Sequence, residues 1–501
     1  MSYEWKFLTS EEKAIRRTHL DWKGQQSLLL SVLCFLIPLA VPYTPLAEYL
    51  SRPQVRTTRY WLFQRGPFLA FLPDHGSIGL WMGALLYAAV LLWLAMKNTA
   101  PDAFFLIKAF GIVAGAQLPA VYALGMKNGI VSPARVWGWE RGTKWHMWGA
   151  RILVWLLAGH FVGYMIFFVS FSRLGRLVKL DIIAGELAFF SMVVMGATGL
   201  MNGRPGAYRL FQKIHILVAP CLLPLCYLHV SHLRPYVLIT AVLYILDTVL
   251  HRPLLTTLTL VPHRTFTEIN INIPPGVSEI YRRGYGHVFL RIPELDNGTK
   301  HPFTIASYSP LESSLKVTVR TKGGWTKELA HLAREKEGRR VVGKVWTIGG
   351  EEAVVEECAA INDVVLIGAG VGIGWASSVG REFVRLGKHV KVIAVAKSSE
   401  EVAVLGGADA EDVSGALDMC VYLTAELGIV TEMEGKLRGL DVRYGRPDWE
   451  EALAQVVLGA RDGEAFVGVC GPAGLVKGVS RTMGRWVGSS NVRVWNEGYS
   501  D

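Results

Sequence analysis

Four histidines carry the most distinctive chemistry in this chain. His146 and His160 bracket one apolar stretch, His215 and His229 bracket another, and each pair is fourteen positions apart. Fourteen residues of helix is close to four turns, so both imidazoles of a pair point the same way, about 21 Å apart along the axis. That is most of the ~30 Å depth of a bilayer's hydrocarbon core. Two such helices side by side would offer two facing His–His pairs, one near each membrane surface. Bis-imidazole ligation of two stacked haems needs this arrangement, and imidazole is a common axial ligand of haem iron. A single histidine in a membrane helix is as readily a hydrogen-bonded bundle residue, so the repeated spacing carries the haem reading.

The elements that must position these residues are legible in the hydropathy. Of 501 residues, 51% are hydrophobic and only 19% charged, and the long apolar runs are confined to residues 27–250. Seven spans are expected: Ser27–Leu46, Ile78–Met96, Phe104–Leu124, Trp148–Phe171, Ile182–Gly199, His215–Val230 and Pro235–Leu250. They follow a tail over residues 1–26, polar and mixed in charge, that suits a short interfacial helix and lacks the form of a cleaved signal peptide. Seven spans put the chain ends on opposite sides. With the soluble half in the cytosol, the loops carrying Arg52, Arg56, Arg59 and Arg65, then Lys127, Arg135, Arg141 and Lys144, follow the positive-inside bias. The basic N-terminal tail, then on the far side, does not. His146 pairs with His215 near the cytosolic surface and His160 with His229 near the other. Arg151, Arg209 and Lys213, or Arg173 and Arg234, could meet haem propionates, or be ordinary snorkelling charges. Glu186 and Asp247 fall inside spans, where a hydrogen bond to a neighbouring helix is the favoured role over a proton or metal role. His232 is a spare ligand or a solvated loop residue.

The net charge of +10 is explained by such loops, and no basic stripe with interleaved aromatics argues for nucleic acid. Six cysteines form neither a disulfide framework nor a zinc spacing, which points to a reducing compartment for the soluble half.

From residue 253 to 358 alternating strands and turns predict a small antiparallel barrel. It contains His301-Pro302-Phe303-Thr304-Ile305-Ala306-Ser307, with an apolar ring and two hydroxyls suited to a ring-bearing phosphate ligand. Further on, Arg320, two glycines, Trp325 and Thr326 open a helix whose N-terminus suits a pyrophosphate. Residues 359–501 read as an α/β domain. A strand, Asp363–Ile367, runs into Gly368, Gly370, Gly372 and Gly374 and then a helix, the logic of dinucleotide binding, although the register departs from the strict fingerprint. Lys397 follows the second strand and favours a 2′-phosphate. Cys470, Gly471 and Pro472 end a late strand, where a thiol could line a nicotinamide.

Together these motifs resemble the fungal ferric/cupric reductase transmembrane component family, within the ferric reductase and NADPH oxidase superfamily, over about residues 75–501. The resemblance implies a transmembrane helical bundle with a bis-haem core, then a ferredoxin-reductase-like β-barrel FAD domain and an α/β NADPH domain. It implies two haem b ligated by His146, His160, His215 and His229, FAD on His301–Ser307, and NADPH on the glycine loop and Cys470-Gly471-Pro472. Electrons would pass from cytosolic NADPH through FAD and both haems to Fe(III) or Cu(II) chelates outside. A plasma-membrane location within lipid and a partner iron or copper permease are family expectations. Two departures stand out. His287 occupies a position where the family often has glutamine. Tyr499 replaces the usual aromatic near the C-terminus, and the resemblance implies that it covers the flavin and yields to nicotinamide. The first rival is an NADPH oxidase making superoxide; that family has one residue fewer between its second pair of histidines, so equal spacing favours the metalloreductase. The second is a haem sensor or channel-like protein.

Overall fold

Without water, a backbone run of about 20 apolar residues satisfies its polar groups as a helix, and the first half of this chain is built that way. A computed structural model describes residues 3–40, 44, 49–50, 52–63, 77–126, 139–200, 207–250, 252–277, 285–295, 300–348, 354–355, 358, 361–405, 417–425, 440–458, 464–487 and 491–499. It forms two compact units, Met1–Glu48 with Leu62–His251, and Tyr49–Trp61 with Arg252–Asp501.

The first unit is helical: α1 (Ser10–Ala40), α3 (Ile78–Met96), α4 (Ala103–Gly115), α5 (Leu118–Gly125), α6 (Trp139–Ser170), α7 (Leu180–Leu200), α8 (Ala207–His229) and α9 (Arg234–Leu250); α2 (Pro53–Phe63) straddles the boundary between units. Six stretches among the described residues are long and apolar enough to cross a membrane, and they match the second to seventh expected spans, with α4 and α5 making one crossing. The first expected span, Ser27–Leu46, is not among the six. Its described part is the second half of α1, a helix whose first half is polar, and residues 41–43 and 45–46 lie outside the described residues.

Residues 1–26 are not a free tail. Backbone bonds join Glu4 to Pro101 and Ala103, and Trp5 packs on Phe104 and Phe167. Lys23, 7% exposed, donates to the carbonyls of Leu94 (2.7 Å) and Lys97 (2.5 Å) and so caps the end of α3. Further along, the buried Gln117 at the α4–α5 break donates to Ser27 Oγ (2.6 Å) and accepts from Ser31 (2.8 Å) and Tyr87. In apolar surroundings such contacts hold helices in register. They make α1 antiparallel to α3, with its N-terminus at the bundle end that carries residues 97–103.

The second unit begins with a closed antiparallel barrel in the order β1-β2-β5-β4-β3-β6: β1 (Leu254–Pro262), β2 (Phe266–Asn272), β3 (His287–Arg291), β4 (His301–Ser309), β5 (Ser314–Arg320) and β6 (Arg340–Ile348). Alternate residues fill it, as in Leu315, Val317 and Val319, and α10 (Trp325–Glu335) contributes Leu329 and Leu332 to the same core. The α/β part is a parallel sheet, β10-β9-β8-β7-β11-β12, from β7 (Asp363–Ala369), β8 (His389–Ala396), β9 (Asp418–Leu423), β10 (Asp441–Tyr444), β11 (Glu464–Pro472) and β12 (Asn491–Tyr499). Its helices are α11 (Gly372–Arg385), α12 (Ser399–Leu405), α13 (Trp449–Leu458) and α14 (Ala473–Trp486). The chain walks outward from β7 to β10 and returns to β11, so the order reverses between β7 and β11. Ligands of such sheets bind at the carboxyl ends beside that reversal. Residues of α2 belong to this unit: the Tyr60 hydroxyl donates to the Ser480 carbonyl of α14, and a Cβ on Gly484 would stand 2.5 Å from Trp61.

Candidate functional site

α6 carries His146 and His160, and α8 carries His215 and His229. The structure joins them across the two helices as their spacing predicts. The ring centres of His146 and His215 are 5.9 Å apart, and those of His160 and His229 are 6.4 Å apart. Two imidazoles on one metal, with bonds of about 2 Å and ring nitrogens roughly 1 Å from their ring centres, have centres roughly 6 Å apart. The spacing survives Pro220 and Pro224 inside α8.

Three of the four rings are held by one local device. His146 Nδ1 donates to the Val121 carbonyl (2.8 Å), His160 Nδ1 to Ile107 (2.7 Å) and His229 Nδ1 to Asp181 (2.7 Å). Four residues beyond each carbonyl stands a glycine: Gly125, Gly111 and Gly185. Side chains on a helix lean toward its N-terminus, so a side chain at that position would cover the carbonyl. A Cβ at Gly111 would stand 2.6 Å from the His160 ring, one at Gly185 2.4 Å from His229, and one at Gly125 3.3 Å from His146. Holding the proton on Nδ1 leaves Nε2 as the metal-binding atom. Both observations fit bis-imidazole haem sites. The sequence reading missed these glycines, whose only signal was glycine within an apolar span.

Three of the other polar candidates of the bundle have partners of their own. Arg151 lies over the Trp148 ring and Arg234 over Tyr227. His232 donates to Asp21 of α1 (2.7 Å). Glu186 is half-buried, and Arg173 and Lys213 are exposed. The side chain of Arg209 lies outside the described residues.

In the barrel, His301 and Phe303 sit two apart on β4 and share a face. Both stack on Trp325, at 4.3 Å and 5.6 Å between ring centres. Trp325 is 6% exposed, and its Nε1 has no hydrogen-bond partner among the described residues. Pro302 and Thr304 pair with Phe289 and His287 of β3. An irregularity between Ile305 and Ser307 re-aims Ser307, and Arg381 of α11 donates to the Ala306 carbonyl. A buried aromatic stack with a donor left over fits a flavin. Thr326 Oγ1 instead accepts the amides of Lys322 (3.0 Å) and Gly323 (3.2 Å), closing the loop on itself. Arg320 lies over the Phe266 ring.

In the α/β part, β7 leads into the glycine loop at the order reversal. Gly370 has φ +52°, in the left-handed region that glycine tolerates. A Cβ at Gly368 would stand 2.6 Å from the Gly372 carbonyl; one at Gly372 would stand 2.2 Å from the Cys470 carbonyl and 3.1 Å from Cys470 Sγ. Cys470, Gly471 and Pro472 are thereby brought against the start of α11, whose first turn includes the buried Gly374. Pro472 pairs with the backbone of Tyr499; the Tyr499 side chain lies outside the described residues. Lys397 is exposed just past β8. Its amide donates to Glu401 (2.8 Å), a buried acid the sequence reading did not single out. The crevice offers helix amides for a pyrophosphate and a thiol beside them.

Three family models match in series: "Ferric reductase like transmembrane component" over residues 110–226, "FAD-binding domain" over 259–363 and "Ferric reductase NAD binding domain" over 361–483. Among curated proteins the chain is 26% identical to "Ferric reduction oxidase 3, mitochondrial" of Arabidopsis thaliana, over 38% of this chain and 28% of that one. It is 25% identical to a "Probable ferric reductase transmembrane component" of Eremothecium gossypii, over 61% and 45%. It is 24% identical to a superoxide-generating NADPH oxidase heavy chain of Dictyostelium discoideum, over 41% and 47%. The matches thus span less than half the length of each of these relatives.

Proposed function

Starting from a chain that belongs to the ferric reductase family and is a multi-pass membrane protein, we propose that it is a metalloreductase driven by NADPH, passing electrons across the membrane to Fe(III) or Cu(II) chelates. The observation that carries the reading is the pair of cross-helix imidazole couples, with ring centres 5.9 and 6.4 Å apart. When bound, two haems and a flavin supply the conversion of a hydride into single electrons. The chain's own work is placement. His146 with His215, and His160 with His229, would hold two haem irons along one pair of helices. An iron held by two imidazoles would leave no site for the acceptor, which suits a chelated metal reduced at a distance. The stack of His301, Phe303 and Trp325 receives the flavin. The glycine loop seats the pyrophosphate of the nucleotide, Cys470 faces its reactive end, and the exposed Lys397 supports a 2′-phosphate. In this reading the soluble half lies in the cytosol and the membrane is the plasma membrane, with an iron or copper permease as the partner that takes up the reduced ion.

The test is a reduced-minus-oxidised haem spectrum of the full chain after NADPH and FAD are added, in wild type and His160→Ala. Loss of roughly half the haem signal is expected in the variant, with chelator-trapped Fe(II) formation abolished. Unchanged haem content overturns the ligand assignment, and superoxide as the main product overturns the metal reading.

A further inference from the structure

We propose that Arg381 is the positioning residue that sets the flavin strand against the nucleotide loop, so that hydride transfer depends on it more than the binding of either cofactor does. The proposal rests on the reading that FAD lies on residues 301–307 and NADPH on the glycine loop, and it names a residue that neither motif contains.

One contact between the barrel and the α/β part carries it. β4 reaches Ser307 only after a break in its ladder. Ile305 is opposite Val317 and Ser307 opposite Lys316, so Ala306 is opposite no residue of β5. On the other side the register with β3 ends at Thr304. Ala306 is 2% exposed. A buried carbonyl needs a donor, and the half-buried Arg381 of α11 supplies one to Ala306. A donor that carries charge makes the stronger kind of hydrogen bond. The kink that aims Ser307 is therefore closed by a residue of the neighbouring α/β part.

α11 itself is pinned at several places. At its start, a Cβ on Gly372 would run into the Cys470 carbonyl. At Gly380 a Cβ would stand 3.2 Å from Leu417 and 3.4 Å from Leu366 and Val392, so the residue before Arg381 lies against the sheet. Trp375, Val379 and Phe383 share an apolar cluster with Phe266 of β2, so barrel and sheet have a common core along this helix. Nine residues separate Gly372 from Arg381, about 13 Å of helix. One rod thus has the nucleotide loop and Cys470 at its start and the flavin strand at its third turn. A shift of β4 along α11 is a shift of flavin relative to nicotinamide. Misplacing reacting atoms by about 1 Å costs on the order of 100-fold in rate, while each cofactor keeps most of its own contacts. In the step concerned, NADPH gives a hydride, with both electrons, to the oxidised flavin and leaves as NADP⁺.

The test uses the full chain in detergent, as Arg381→Met, which cannot donate, and Arg381→Lys, which can. Without FAD, hydrogen exchange at the amides of residues 305–307 is expected to quicken in the Met variant and to return toward wild type in the Lys variant. With FAD bound, flavin reduction by NADPH followed in stopped flow is expected to slow in the Met variant by about tenfold to 100-fold per bound flavin. KM for NADPH should stay near wild type, and the isotope effect from NADPH dideuterated at C4 should grow, because the hydride step is the one slowed. The Lys variant should slow by less. Unchanged exchange, or an unchanged rate and isotope effect per bound flavin in the Met variant, overturns the proposal. So does a loss confined to flavin content, the result of a merely structural role. Should the Met variant not fold, the Lys variant carries the test, and a wild-type rate and isotope effect in it overturn the proposal. A wild type that binds FAD but shows no flavin reduction by NADPH strikes at the underlying reading, and the proposal falls with it.

Discussion

The bundle and the α/β part both depend on glycines at their sites, but these glycines make room for different things. In the bundle, Gly111 and Gly185 make way for imidazole rings that reach backbone carbonyls. In the α/β part, Gly368 and Gly372 make way for backbone: the turn itself and the carbonyl of Cys470. A ring is the end of a side chain and can swing aside at the cost of its aim. A backbone carbonyl in the middle of a parallel sheet cannot. Crowding should therefore misplace ligands in one region and unfold structure in the other.

The sharpest way to break this contrast is Gly372→Ala, whose new Cβ meets the Cys470 carbonyl. It is expected to destabilise the α/β part by about 3 kcal/mol, read as a lower melting temperature of the second unit. A melting temperature equal to wild type would show that the loop has slack. Next comes Gly185→Ala, expected to leave melting nearly unchanged while reducing haem signal and acceptor reduction, because His229 must leave the Asp181 carbonyl. Its internal control is Gly125→Ala, where the contact would be 3.3 Å; the His146 site should keep its haem. Equal loss in both variants would refute the idea that closeness to the ring sets the effect.

The smallest effect lies at the sheet edge. Hydrogen bonding from Arg443 holds the Asp441 carboxyl below its usual range. A depressed carboxylate contributes stability above its unfolded pKa and loses it as pH falls through the folded pKa. Asp441 is exposed, so screening keeps the contribution small. Asp441→Asn should melt slightly below wild type at neutral pH, and the gap should close in strong acid. A gap independent of pH would mean that the charge is irrelevant.

How much of this was legible follows from the same contrast. The four histidines declared their pairing because helical periodicity converts sequence spacing into direction. The glycine loop declared itself because a strand, a turn and a helix are contiguous in sequence. The carbonyl-and-glycine anchors did not, because Val121, Ile107 and Asp181 lie on helices whose neighbours no local pattern reveals. The first residues read as a polar segment suited to a short interfacial helix, and a helix does begin at Ser10; its packing partners are distant in sequence and leave no local pattern. Trp5 and Leu20 are nevertheless enough to bury one side of the segment.

The placement of α2 bears on how the protein is made. Tyr60 and Trp61 complete a surface of the α/β part, yet they are synthesised before every candidate crossing from Ile78 onward and before the sheet they join. The second unit is thus a discontinuous fold that cannot close until the ribosome has delivered its last strands. An expression fragment begun at residue 252 would lack one of its own pieces, leaving the surface of α14 at Ser480 and Gly484 without Tyr60 and Trp61.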